Sequence, residues 1–560
     1  MPDVSNSEIA SLLERYGQLL EIGGESSFRT RAYTRAADAI RHYPGPVAAL
    51  ARQGTVQTIE GIGVGIAGVI EEFVRTGSVD DLKNLQKRVP ISLLDLVEIP
   101  GLGAKSVIRL FAELGIVDLA GLESAANSGR IRELAGFSIK TEQKILVGIE
   151  SVRRRSGRYR LGAVLPLGRR LIEELRAILP PITEMSLAGS VRRMDETVAD
   201  LDIVIGTADR AVAINALSDL PTVSGMESDE GEHVRFRLHD GLGLDAIIVS
   251  PERFGVEMIR ATGNAAHLAL LGSLPDAPSE EAVYTSLGLP LIPPEIRLGR
   301  NEIELARSDR LGSLISASAM RGEFHCHTVW SDGALSVLET VQAAAERGFQ
   351  FLGISDHTRS LGVANGLDAE RLQAQRAEII KTRTQCGIRV FASAEVEVAR
   401  NGTLDFDDDV LAELDIVIAS THVGLRQPKE ELTTRLFGVL ENRHVDIIAH
   451  PSGRLIEQRE PGDFDWERVF ATAARTGTAL EINADPARMD LSADHARQAI
   501  AAGCLLTINC DAHHPAGWDQ LEYGLANARK AGATTDQVLN TWPVERIEAW
   551  LHERGRSVRS

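Results

Sequence analysis

The apolar positions of the chain change period twice. Over residues 7–50 they recur at helical spacing around a basic segment, Phe28-Arg-Thr-Arg-Ala-Tyr-Thr-Arg35. From residue 186 they alternate. In Ser186–Ile205, Asp200 and Asp202 stand opposite Leu201, Ile203 and Ile205, so both carboxylates share one face of a predicted strand. Val234–Leu238, the turn His239-Asp240-Gly241 and Leu242–Val249 predict a hairpin with Asp245 inside an apolar strand. Beyond 321 apolar strands alternate with helices. The strands are predicted to end at Phe324, Ile354, Ala394, Ala419, Ile448, Ile482 and Ile508, each followed by a polar cluster. Repeated βα units predict a parallel sheet or barrel with its functional groups at the carboxyl ends of the strands.

Between the helical and alternating regimes lie two glycine turns. Ile59-Glu-Gly-Ile-Gly-Val-Gly-Ile-Ala67 and Val97-Glu-Ile-Pro-Gly-Leu-Gly-Ala-Lys-Ser-Val107 share the helix-hairpin-helix pattern. Gly61, Gly63, Gly65, Gly101 and Gly103 allow close backbone approach, and the helix that follows offers free N–H groups to a phosphate, with Lys105 adding charge. Such contacts grip DNA without reading its sequence. A third, degenerate copy, Leu134-Ala-Gly-Phe-Ser-Ile-Lys-Thr-Glu142, has Ser138 in place of the second glycine and is read as structural.

A chain of 560 residues exceeds what one core usually carries, so several domains are expected. Cys326, Cys386, Cys504 and Cys510 form no CxxC, which predicts reduced thiols in a cytoplasmic protein. No apolar run reaches membrane-span length, and no signal-peptide pattern opens the chain. The net charge of −19 is unevenly spread: residues 1–170 carry 23 Lys and Arg against 19 Asp and Glu, the remainder 37 against 60. Arg153, Arg154, Arg155, Arg158 and Arg160 belong to the basic front. That asymmetry predicts a polyanion-binding front and a carboxylate-rich rear.

Asp200, Asp202 and Asp245 on adjacent strands suit two Mg²⁺ ions, which serve an attacking 3′-hydroxyl and a leaving pyrophosphate. Gly189 and Ser190 would bring donors to a triphosphate, and Arg193 positive charge. In the rear, Phe324-His-Cys-His-Thr-Val-Trp-Ser-Asp-Gly333 places His325 and His327 on one side of a strand, with Asp332 beyond. Asp356-His357, Glu395, His422, His450, Asn483 and Asp511-Ala-His513 follow at successive strand ends. Histidine with carboxylate suits Mn²⁺, Zn²⁺ or Fe²⁺. Arg359 and Arg454 are candidate phosphate contacts.

Residues 1–300 resemble a family X DNA polymerase, the group that contains DNA polymerase beta. The resemblance rests on the two glycine turns, Gly189-Ser-Val-Arg-Arg193 with Asp200-Leu-Asp202, and Val283–Arg297. It implies nucleotidyl transfer at Asp200, Asp202 and Asp245, with Thr262 and Gly263 beside the incoming nucleotide. Three departures stand out. Arg260-Ala-Thr-Gly263 lacks the family's aromatic pair, the thumb lacks a longer segment with a Glu-Tyr-Gly motif, and Val69 falls near the position of the lyase lysine. Residues 321–560 resemble the PHP domain, a distorted seven-stranded (β/α) barrel. The resemblance implies three metals on His325, His327, Asp332, His357, Glu395, His422, His450, Asp511 and His513.

The expected architecture is multidomain, α+β and α/β. A helical domain with the first turn occupies 1–84, fingers with the second 85–160, and a nucleotidyltransferase palm 161–260. A shortened thumb (261–305), a linker (306–320) and the barrel (321–560) follow. The expected function is gap-filling DNA repair: weakened nucleotide addition from dNTPs, and metal-dependent 3′→5′ trimming of gapped or 3′-ended DNA, by a cytoplasmic monomer. The alternatives are an end-processing nuclease whose front only binds, a small-molecule phosphatase and a non-catalytic scaffold.

Overall fold

The computed structural model describes the chain except residues 1–3, 5, 42, 44, 60, 98, 100, 101, 156, 182, 240 and 557–560. Gly101 of the second glycine turn and Asp240 of the predicted hairpin turn therefore lie outside the described residues, as do the side chains of Arg153, Arg154 and Arg155. The chain divides into two compact units, Met1–Gly157 and Arg158–Ser560.

The first unit is helical throughout. Its apolar periodicity packs into one core running from Ile9 and Leu13 through Ile70 and Leu93 to Ile149, so the segments on either side of residue 84 share a core. The two glycine turns are near copies. Gly63 precedes the helix Val64–Thr76 with φ −82° and ψ 167°, and Gly103 precedes Ala104–Leu114 with φ −80° and ψ 167°. Neither residue caps its helix with a side chain, so the first N–H groups of both helices have no side-chain cap. An added Cβ at Gly63, Gly65 or Gly103 would meet nothing within 4 Å. The protein's own packing does not demand glycine there, and the bare backbone is left open to close approach from outside.

The second unit begins with β1 (Tyr159–Arg160), which pairs antiparallel with β3 (Thr197–Val198). A mixed five-stranded sheet is built from β2 (Glu184–Leu187), β4 (Asp200–Gly206), β5 (Val223–Glu230), β6 (His233–Leu238) and β7 (Gly243–Val249). Its order is β2-β4-β7-β6-β5. The predicted hairpin is the antiparallel pair β6–β7. Strand β4 runs parallel to β7 and sets Asp202 opposite Asp245. Strand β5 has no counterpart in the sequence reading: it is mostly exposed and polar, so no alternation marks it.

The barrel's strands are β8 (Gly322–Glu323), β9 (Phe351–Ile354), β10 (Arg389–Glu397), β11 (Ile416–Ser420), β12 (Ile447–Ile448), β13 (Ala479–Asn483) and β14 (Leu506–Asn509). They lie side by side in chain order, all parallel. Strands β8 and β14 form no ladder. The seam between them is crossed by Phe324 N–H donating to Asn509 Oδ1 (3.2 Å), Cys510 N–H to Glu323 Oε1 (2.6 Å) and His327 N–H to the Ala512 carbonyl (2.9 Å). Phe324 stacks near Phe351 and Phe391, with centroids 4.7 and 6.4 Å away, in a fully buried aromatic group. Such pairs contribute about 0.5–1.5 kcal/mol beyond area burial.

The stretch 306–320 is docked on the barrel rather than free. Ile315 is buried in the barrel core, and its N–H donates to the Ala533 carbonyl (3.0 Å). The barrel also packs on the five-stranded sheet, whose core includes Met489 and Tyr523. All four cysteines are unpaired, and among the described residues no helix is long and apolar enough to cross a membrane.

Candidate metal centre and carboxylate strand

Each barrel strand delivers its polar cluster to the same end. His325 and His327 follow β8, and Asp332 returns from the loop beyond them. That loop is folded around Asp356, which accepts from Thr328 N–H (2.8 Å), Thr328 Oγ1 (2.7 Å), Ser331 N–H (3.1 Å) and Gln375. Asp356 thus turns inward to build the site, while its neighbour His357 faces the cluster. Glu395 stands inside β10, two residues before its end, not beyond it.

Three groups converge, each with its ligand atoms within 4.8 Å of one another: His327, Asp332, His357 and His513; His325, His327, Glu395 and Asp511; and His357, Glu395 and His422. The ninth predicted ligand, His450, places Nε2 3.0 Å from Glu395 Oε1. Glu395 is the hub, since the side-chain nitrogens of His325, His327, His357, His422 and His450 all lie within 4 Å of its oxygens. Backbone conformation is forced at two ligands: His450 has φ 28° and Asp511 φ 54°, in the left-handed region that non-glycine residues rarely occupy.

The donor set fits metal ions. His325 Nε2, His327 Nδ1, His357 Nδ1, Glu395 Oε2 and His450 Nδ1 are buried without a hydrogen-bond partner. Orphaned buried polar atoms are costly, and those of His325 and His327, beside the 2.7 Å contact of His357 Nδ1 with Glu395 Oε2, are explained by cations. Other carboxylates orient the rings. His325 Nδ1 donates to Glu481 Oε1 (2.8 Å), whose other oxygen accepts the His450 N–H (2.7 Å), and His422 Nδ1 donates to Glu397. These outer carboxylates fix ring orientation and raise ligand basicity.

Burial and charge compete throughout. Burial pushes His325 down, but Asp511, Glu481 and Glu395 outweigh it and hold the ring well above its usual range. Burial pushes Glu395 up, yet the surrounding histidines, His357 first, bring it well below the carboxylate range. His450 falls to about 4 through burial and the nearby Arg488 guanidinium. Burial also pushes His513 down, but Asp332 and Asp511 raise it to about 9. Protons and cations therefore compete for the same atoms.

Of the two candidate phosphate contacts, Arg454 is placed otherwise. Arg454 does not face the cluster. It forms a two-pronged ion pair with Glu196 (2.6 and 2.9 Å) and donates to the Arg488 carbonyl (2.8 Å). Its position four residues after His450 suggested the metal site, but the turn at Gly453 sends it toward the five-stranded sheet. Arg359 is exposed, 6.0 Å from the Phe406 ring. The arginine that does reach the cluster is Arg488, with Nε 4.0 Å from Asp511 Oδ2 and a buried, unpartnered Nη1. Sequence reading passed over Glu397, Glu481 and Arg488, because the first two lie inside strands and the third inside a loop between Asn483 and a helix.

The three aspartates of the sheet are less tightly gathered. Among the described residues, no group of three converging ligands includes them. Asp245 takes His233 Nδ1 at 3.2 Å. Asp202 is pushed up to about 7 by burial, then by Asp200 and Asp245, with Arg193 acting against them. Gly189 (φ 60°) is fixed by this strand: a Cβ there would lie 1.7 Å from Asp202 Oδ2. Ser190 follows it in the short helix Gly189–Arg192. Arg193 donates to the Thr262 carbonyl (2.8 Å) and to Asp195 (2.7 and 3.1 Å), while Gly263 ends the helix Phe254–Thr262. Arg192 is bound instead to Glu280 (2.5 and 2.9 Å), which also receives the fully buried Arg297 (2.5 Å).

A seven-stranded parallel barrel with buried histidine and carboxylate at its strand ends, preceded by paired helix-hairpin-helix turns, defines a DNA-acting, metal-dependent class of protein. A Helix-hairpin-helix domain matches residues 4–79, a SAM-like Helix-hairpin-helix tandem 93–151, and a PHP domain 323–485. The tandem spans the degenerate third copy at 134–142. A DNA polymerase/3′-5′ exonuclease PolX of Bacillus subtilis (strain 168) is 37% identical over 568 residues, covering 97% of this chain and 99% of that protein. The chain belongs to that PolX family. A probable phosphatase of Thermoanaerobacter sp. (strain X514) is 27% identical over 245 residues, 42% of this chain and 95% of its own length. Another, from Shewanella sediminis (strain HAW-EB3), is 29% identical over 241 residues, 41% and 93% respectively.

Proposed function

We propose that this chain is a DNA repair enzyme that adds nucleotides to and removes them from 3′ ends in gapped DNA, as a cytoplasmic monomer. The front grips the DNA backbone through Gly61, Gly63, Gly65, Gly101, Gly103 and Lys105. In the palm (161–260), Asp200, Asp202 and Asp245 hold Mg²⁺, and Gly189, Ser190, Arg193, Thr262 and Gly263 hold the dNTP. In the barrel, His325, His327, Asp332, His357, Glu395, His422, His450, Asp511 and His513 hold Mn²⁺, Zn²⁺ or Fe²⁺.

Ions held there supply a lowered water pKa and positive charge at the phosphate. The chain's own residues do the rest. Glu481 and Glu397 keep the ring nitrogens of His325 and His422 aimed inward. Arg488 offers a cation at the cluster's edge, where a phosphate oxygen would otherwise face Asp511. The observation that carries the reading is the buried, orphaned set of donors around Glu395, in one chain with two phosphate-gripping turns. The full-length likeness to a polymerase/exonuclease supports the same reading. The phosphatase relatives match only the barrel, and a small substrate has no use for the duplex grip.

The test is a gapped duplex with a labelled primer and Mn²⁺. The primer should shorten without dNTPs and lengthen with them. A primer unchanged in both would overturn the proposal. A second reading, an end-processing nuclease whose front half only binds, is favoured by Arg260-Ala-Thr-Gly263 and the short thumb. Shortening in both conditions would select it.

A further inference from the structure

The palm segment that leads from the nucleotide-binding turn to the catalytic strand is held by the barrel at three consecutive residues. Lys530, on the helix Leu521–Ala531, donates from Nζ to the Met194 carbonyl (2.7 Å) and to Asp195 Oδ1 (3.0 Å). Arg454 grips Glu196 with both ends of its guanidinium (2.6 and 2.9 Å). The lysine side chain is only 6% exposed, so this ammonium is committed to the palm and not to solvent. The other oxygen of Asp195, Oδ2, takes Arg193 from Nε (3.1 Å) and Nη2 (2.7 Å). Asp195 is therefore divided between the barrel's lysine and the palm's arginine.

We propose that Lys530 is a positioning residue for nucleotide binding in the palm: it anchors Asp195, and Asp195 aims Arg193 at the incoming triphosphate. This rests on the assignment of Arg193 to the dNTP made above. The electrostatics favour it. With Lys530 present, Asp195 is neutralised from the barrel side and its pull on Arg193 is shared. Without Lys530, a carboxylate remains beside the triphosphate site, pairs more fully with Arg193 and competes with phosphate oxygens for that guanidinium. The barrel then contributes to nucleotide addition through one side chain, independently of its own metal cluster. Arg454 adds a second tether one residue further on, toward β3 and Asp200. Met194 (φ 56°) sits between Arg193 and these tethers, so the turn that presents Arg193 is fixed on both sides.

The experiment uses the full-length protein on a gapped duplex. It measures dNTP affinity directly with Ca²⁺ replacing Mg²⁺, then KM and kcat for single-nucleotide addition, and primer degradation in the same preparations. Lys530→Met should weaken dNTP affinity and raise KM by about tenfold, with a much smaller change in kcat and undiminished degradation. Lys530→Arg, which keeps the charge, should restore most of the affinity. Asp195→Asn removes the carboxylate that Lys530 neutralises, and with it the competition for Arg193. In that background Lys530→Met should add nothing further. Unchanged dNTP affinity in Lys530→Met, or a parallel loss of affinity and degradation, would overturn the proposal. Wild-type protein that binds no dNTP would instead overturn the assignment of Arg193 and of the palm.

Discussion

The two carboxylate-bearing sites of this chain are built on opposite plans. In the barrel, the proposed ligands other than Glu395 lie beyond strand ends, Glu395 lies inside a strand at the centre, and a further tier of carboxylates orients the rings. In the sheet, Asp200, Asp202 and Asp245 stand on two parallel strands without closing on a common point, and Asp202 is raised by its own neighbours. The barrel cluster is preorganised before any substrate arrives. In the function proposed here, the sheet's triad would be a half-site, to be completed by a metal arriving with the nucleotide. This matches the chemistry proposed for each: hydrolysis needs a standing centre, whereas nucleotidyl transfer imports part of its centre as a metal–triphosphate complex.

The contrast can be broken by substitution. Glu395→Gln should have the largest effect, lowering primer degradation by about a hundredfold or more because one oxygen pair serves several ligand groups. Gapped-DNA binding and nucleotide addition should persist. Degradation at the wild-type rate would remove the hub. Asp202→Ala is the mirror experiment: addition should fall by about a hundredfold, with degradation intact. Equal loss of both activities would mean that the sites are not separate.

Glu481→Gln sharpens the account of preorganisation. Glu481 stands behind His325 and outside the proposed ligand set, so degradation should be recoverable by added Mn²⁺, with metal affinity down by about 10- to 100-fold. A defect that excess metal fails to correct would make Glu481 part of the chemistry instead. The smallest effect concerns Asp202 in chelated protein. Its folded value of about 7 exceeds the ordinary 3.8, so between those values the folded state holds a proton that the unfolded chain releases. Raising pH through that window therefore costs the folded state stability. Asp202→Asn should melt a few degrees higher than wild type at pH 8, with the gap closing toward pH 5. A pH-independent gap would count against the crowding of the three aspartates.

The barrel ligands were legible because each sits within a few residues of a strand end, where an apolar run yields abruptly to His or Asp. The glycine turns were legible because the same glycine spacing recurs in two copies between apolar positions. What escaped the sequence was whatever depended on distant pairing. Glu481 looks like one polar position in an apolar strand until His325, 156 residues away, is placed beside it. Arg454 was drawn to the wrong site by its closeness to His450, since nothing local reveals Glu196, 258 residues earlier. Strand β5 was invisible because a solvated edge strand need not alternate.

One feature of the barrel reaches beyond its chemistry. Strands β8 and β14 meet without a ladder, and the ligands divide across that seam, His325 and His327 on one side, Asp511 and His513 on the other. Ions held by these residues would join parts of the chain almost two hundred residues apart, so the proposed metal centre would also be the barrel's clasp. For a newly made chain, acquiring metal would then be a maturation step for the rear of the enzyme. The supply of metal would then set how many of these molecules could trim DNA, while leaving the front free to bind it.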